Sequence, residues 1–294
     1  MRYLKTYKIF EAKTSGLTPE QEKWLDKCTD GTWSYNPKTG LVDVDVNFNC
    51  DGQELSDFKE VRFGVVGGFF SCTNNRLTTL EGAPQKVGES FSCTNNRLTT
   101  LEGAPQKVGW NFSCRNNRLT TLEGAPQMVR GSFYCEENEL TTLEGAPEEV
   151  GGHFYCRKNR LTTLEGAPQV VAGNFYCEEN KLTTLEGAPQ KLGSDFLCDD
   201  FELRNFEYGK GLWNPEGWIK ILTEGSSKAQ NLILTLLTPE VLNKEIQKDP
   251  TGMVLALKSV WNEESFRMIR SKLIWPRGYE KEADLLGDLD DVGF

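Results

Sequence analysis

Nine cysteines and one histidine are the side chains of this 294-residue chain with the widest chemical range. Thiolates serve as nucleophiles, redox couples or metal ligands, and a nearby imidazole can activate them. Their spacing decides among these roles. From Cys72 through Cys93, Cys114, Cys135, Cys156 and Cys177 to Cys198 every interval is 21 residues, and Cys28, Cys50 and Cys72 are 22 apart. No CxxC pair occurs, so a four-cysteine metal site has no local ligand pair to start from. His153 precedes Cys156 by three residues, an offset that puts the two on opposite faces of a strand. A Cys–His nucleophile is excluded there, and a single histidine leaves little room for other imidazole chemistry. The cysteines mark a repeat.

One unit reads Phe91-Ser-Cys93-Thr-Asn-Asn96-Arg-Leu98-Thr-Thr-Leu101-Glu-Gly-Ala-Pro105-Gln-Lys-Val108-Gly. The string Leu-Thr-Thr-Leu-Glu-Gly-Ala-Pro recurs unchanged from Leu77, Leu98, Leu119, Leu140, Leu161 and Leu182. A period in this range means a solenoid. In Phe-x-Cys, strand alternation turns Phe and Cys to one face and the residue between them to the other. About five apolar side chains per unit cannot offset the ordering of 21 residues, so a lone coil does not fold and stacked coils do. Asn75, Asn96, Asn117, Asn138, Asn159 and Asn180 are the expected bend device, a ladder of carboxamides satisfying backbone groups inside the stack. Gly-Ala-Pro turns the chain and Val-Gly returns it.

The segment Phe-x-Cys-x-x-Asn-x-Leu resembles the leucine-rich-repeat core, with Phe and Cys in two of its leucine positions. The resemblance covers about residues 48–203. It implies a solenoid of short parallel strands with few or no convex helices. Degraded units stand at both ends. Gln53 replaces the asparagine after Phe48-Asn-Cys50, and Phe201 replaces it after Phe196-Leu-Cys198. Eight strands make a ribbon about 35 Å long.

The cysteine column reads as a set of small buried hydrophobes with raised pKa, rather than a redox or metal array. Unpaired thiols in such density imply a reducing compartment. No apolar core follows Met1-Arg-Tyr-Leu-Lys-Thr-Tyr-Lys, so no secretory signal is read there, and the protein is placed in the cytoplasm. No uncharged apolar stretch approaches a membrane span. A net charge of −10 argues against nucleic acid. Cofactors and metals are expected to be absent. The column Glu81, Glu102, Glu123, Glu144, Glu165 and Glu186 reads as solvated charge rather than a calcium site.

Differences stand out against the identical framework. The outward strand position runs Ser71, Ser92, Ser113, Tyr134, Tyr155, Tyr176, and the position after Cys runs Thr73, Thr94, Arg115, Glu136, Arg157, Glu178. With His153 before one of the phenylalanines, Tyr134, Tyr155, Tyr176, Arg115, Glu136, Arg157 and Glu178 make a candidate face for a protein partner. Self-complementary stacking across rungs is the other reading, and the two are compatible.

The fold class is α+β: a β-solenoid with an N-terminal helix and hairpin cap and a small C-terminal helical domain. Thr18-Pro19-Glu20-Gln21 reads as a capping box opening a helix to about Cys28, and residues 32–35 and 41–48 flank an Asn36-Pro37 turn as a hairpin. Four parts follow: an arm (1–16), the cap (17–47), the solenoid (48–203), and helices with an acidic tail (204–294), where Asn214-Pro215 and Thr238-Pro239 start helices. The arm resembles the short leaders of tailed-phage head proteins, which are cleaved after a hydrophobic-x-Glu motif matched by Ile9-Phe10-Glu11, and the repeats resemble ones such phages encode. The function read is non-enzymatic protein–protein interaction through the strand face, with a structural or packaged virion protein as the alternative. An enzyme with an unrecognised site in residues 204–294 is the third reading.

Overall fold

The computed structural model describes residues 16–198, apart from residues 31, 184 and 195. Glu11 and the region 204–294 lie outside the described residues. One helix, α1 (Pro19–Cys28), begins with the Thr18/Gln21 capping box, each side chain meeting the other's backbone N–H. A hairpin, β1 (Trp33–Asn36) and β2 (Leu41–Val44), follows, and then β-coils of about 21 residues wind through about seven turns.

Each full coil contributes one two-residue strand to each of two parallel sheets. The first sheet holds Phe48–Asn49, Phe70–Ser71, Phe91–Ser92, Phe112–Ser113, Phe133–Tyr134, Phe154–Tyr155, Phe175–Tyr176 and Phe196–Leu197, in sequence order. The register sets phenylalanine on phenylalanine at every step, as in Phe91↔Phe112 and Phe133↔Phe154. Their rings stack at 5.1–5.5 Å, tilted by 1–17°.

The second sheet was not foreseen from the sequence. It runs from the hairpin through Phe63–Val66 and then Lys86–Val87, Lys107–Val108, Met128–Val129, Glu149–Val150, Val170–Val171 and Lys191–Leu192. From Phe63–Val66 onward the last residue of each strand, valine in all but Lys191–Leu192, points inward, and Phe, Cys, both Leu, Ala and Val of a coil such as 91–108 are all buried. The Gly of Gly-Ala-Pro sits at φ 83–89° in the coils from Gly82 to Gly187. A Cβ at Gly124 would meet the Leu101–Glu102 backbone at 2.6 Å, so only glycine fits.

The cap closes the first coil. Trp24 packs edge-on to Phe48 at 5.3 Å, and β2 pairs in parallel with Phe63–Val66. Gln53, in the ladder's first position, accepts from Trp24 Nε1 and donates to Cys28 Sγ, which ties the degraded unit to the helix.

The asparagine ladder spans coils. Asn96 Nδ2 donates to the carbonyls of Cys93 and Thr94 in its own coil and of Cys72 in the preceding one, at 2.9–3.3 Å. Its Oδ1 accepts from Leu77 N–H, also in the preceding coil. The same set recurs at Asn117, Asn138, Asn159 and Asn180. Replacing Asn117 by Ala leaves Leu98 N–H without its acceptor and takes one of two donors from each of the carbonyls of Cys93, Cys114 and Arg115. The loss expected is about 3–4 kcal/mol, seen as a lower urea midpoint, and Asn117→Asp does no better because it lacks the donor.

Candidate interaction face

All nine cysteines are free thiols and buried, Cys28 at the end of α1 and the other eight on the inner side of the stack. Thiols of Cys50, Cys72, Cys93, Cys114, Cys135 and Cys177 donate to a carbonyl of the next coil at 3.2–3.5 Å. Burial drives the pKa of Cys72, Cys93, Cys114, Cys135 and Cys156 upward, which leaves them inert as nucleophiles.

His153 and Cys156 part as predicted: the thiol faces the core and the imidazole faces out. His153 Nδ1 accepts from Asn174 N–H at 2.8 Å, so the ring carries its proton on Nε2. That bond belongs to a column in which the residues before the phenylalanines, from Ser90 to His153, each accept from the backbone of the next rung. Ser90 accepts from Asn111 N–H, Asn111 from Ser132 N–H, and Ser132 from His153 N–H. The exposed glutamates from Glu81 to Glu186 use their backbone in the stack, as when Leu101 N–H meets the Glu123 carbonyl. Among the described residues, no group of three His, Cys, Asp or Glu is placed to hold a metal ion.

The outward face of the first sheet divides in two. Its upper half is a chain of small hydroxyls. Asp51 accepts from Ser71 Oγ and Thr73 N–H at 2.6 and 2.7 Å, Thr73 Oγ1 meets Ser92 Oγ at 2.9 Å, and Thr94 Oγ1 meets Ser113 Oγ at 2.8 Å. Each hydroxyl has a partner.

The lower half differs. Tyr134, Tyr155 and Tyr176 stack at 4.7 and 4.4 Å with planes 9° and 3° apart, and His153 sits edge-on to Tyr155 and Tyr176 at 6.0 and 6.1 Å. The tyrosines are half-buried, so self-stacking is present. Burial, then Tyr176, Tyr134 and Glu136, push the Tyr155 hydroxyl up to about 12.

Beside them, Glu136 is buried, 3% exposed, where an outward charge was expected. Arg115 lies 3.7 Å from its Oε1. Its Oε2, Nε of Arg157 and Oε2 of Glu178 are the buried side-chain polar atoms without a hydrogen-bond partner among the described residues, and all three stand in this one column. Burial raises the Glu136 pKa, while its own backbone N–H, Arg115 and Arg157 offset part of the effect.

Sequence reading missed one column. Glu137, Lys158 and Glu179 sit at φ 55–58°, a left-handed conformation that disfavours ordinary side chains. Earlier coils place Asn74, Asn95 and Asn116 there, residues that tolerate it, and their carboxamides link rung to rung. That change from Asn to charge was the available signal. Glu137 and Lys158 pair at 3.2 Å and remain 43% exposed.

Against protein-family models, curated proteins and solved structures, the chain has no match. No helix among the described residues is long and apolar enough to cross a membrane.

Two measurements test these assignments. A raised folded-state pKa means that stability from Glu136 is gained as pH falls toward the ordinary value of 4.5 and lost as pH rises through the folded-state value. Glu136→Gln therefore melts higher than wild type at pH 7, and its advantage shrinks on acidification. Replacing Glu137 and Lys158 together by Asn relieves two left-handed strains at the cost of their surface ion pair, and unfolding titrations should show a gain of about 1–2 kcal/mol.

Proposed function

We propose that this protein is a non-enzymatic interaction module that binds a protein partner through the lower half of the first sheet. The supporting observation is where the structure accepts destabilising features. Unsatisfied buried polar atoms gather in the coils that also carry the tyrosine ladder, and there charged residues hold the left-handed positions that Asn74, Asn95 and Asn116 fill in the coils above, where the outward hydroxyls are paired. Local rules broken together on one face are a mark of function. Stacked tyrosines offer rigid, amphipathic area, and the bordering charges supply orientation.

On the same reading, the unit is a leucine-rich-repeat-like coil in which Phe and Cys replace two leucines. The protein belongs to a tailed phage and acts in the reducing host cytoplasm, where nine free thiols remain reduced. Buried thiols with raised pKa, and a histidine whose Nδ1 serves the backbone, supply no nucleophile or base.

Affinity purification tests the assignment. Wild-type chain retains its partner, Tyr155→Ser with Tyr176→Ser loses it, and Lys107→Ser with Met128→Ser, on the second sheet, retains it. Removing the tyrosine stacks costs about 1–2 kcal/mol, so capture is done well below the melting temperature of each variant. Equal capture by all three proteins would overturn the proposal.

A further inference from the structure

The charges on the proposed face are sorted by rung. The two residues after each cysteine are Arg115-Asn116, Glu136-Glu137, Arg157-Lys158 and Glu178-Glu179. Four consecutive rungs are therefore basic, doubly acidic, doubly basic and doubly acidic. Their strands pair in order, so the alternation runs straight down the solenoid axis.

Such a pattern is self-complementary in one arrangement. Consider a second copy laid face to face with its axis reversed, about a two-fold axis parallel to the strands and midway between the Glu136 and Arg157 rungs. This operation keeps every column on itself and inverts the order of rungs. Glu137 then faces Lys158 of the second copy, and Arg115 faces its Glu178-Glu179, while Glu136 stays buried within its own chain. Tyr134 meets Tyr155 of the second copy in the same register. A two-fold axis along the solenoid instead sets each rung on its own kind, acid on acid and base on base. Glu137 and Lys158 are open to solvent, and the shared stack keeps the face rigid in both copies.

We infer that the partner of this face is a second copy of the same chain, bound antiparallel through the alternating rungs. The inference rests on the interaction-face reading above. Four rungs span only about 15–20 Å, so the dimer is weak and depends on salt.

The test is sedimentation equilibrium of the full chain at up to about 0.5 mM, at low and high salt. Wild type should dimerise at low salt and dissociate as salt rises. Glu137→Lys and Lys158→Glu each set like charges across the two-fold axis twice, so each should be monomeric alone. Mixed in equal amounts they should form a heterodimer, because every cross-axis pair is again opposite. A merely structural role for the ion pair cannot produce that recovery, since neither chain regains its own internal pair. Where a reversed-charge chain fails to fold, Glu137→Gln and Lys158→Gln serve, each expected to weaken the dimer about fivefold.

A monomeric wild type overturns the inference, as does a dimer indifferent to these changes. If wild type is monomeric but still captures another protein that Tyr155→Ser with Tyr176→Ser loses, only the self-pairing falls and the interaction face stands. If neither self-association nor tyrosine-dependent capture is found, both fall.

Discussion

The carboxamide of each ladder asparagine belongs to two coils at once. A coil this narrow folds its backbone inward at the corner after the cysteine, where carbonyls and N–H groups meet no water. One Asn side chain answers donors and acceptors from its own coil and from the one before it. Fixed registers for the phenylalanine stack and for both sheets accompany this bond set, because displacing a coil by one residue would break it and turn the core residues outward. Phenylalanine stacking supplies much of the apolar burial, but the asparagines decide where each ring must lie.

On this uniform frame the outward positions are free to diverge, and they do so in a block. Above Arg115 the strand face is small, hydroxylated and internally satisfied. Below it the same positions carry phenols, a buried carboxylate and charges in left-handed backbone. A solenoid can tolerate such a block because its stability is distributed over nearest-neighbour interfaces, and well-satisfied coils stand beside strained ones. The internal ion pairs Arg115–Glu136, Lys158–Glu137 and Arg160–Glu139 each join an acidic rung to a basic neighbour, so the charge pattern also serves stacking within the chain.

Much of the frame was legible in the sequence because its causes are periodic. The 21-residue cysteine spacing, the Phe-x-Cys alternation and the Thr18/Gln21 capping box each state a local rule that the structure obeys. The second sheet was hidden because two residues such as Lys107-Val108 are too short to show alternation, and their pairing exists only after stacking. Burial of Glu136 was hidden for a related reason: on a strand its position faces outward, and what covers it lies in the neighbouring coils. Repetition gave no sign of the left-handed column either, until Asn74, Asn95 and Asn116 were set beside Glu137, Lys158 and Glu179.

The ladder also has a direction. Every asparagine from Asn96 to Asn180 reaches back to the coil before it and never forward. During synthesis, each coil's corner is therefore completed only when the following 21 residues emerge. At any length of stack, the last coil is the one whose corner carbonyl lacks its second carboxamide.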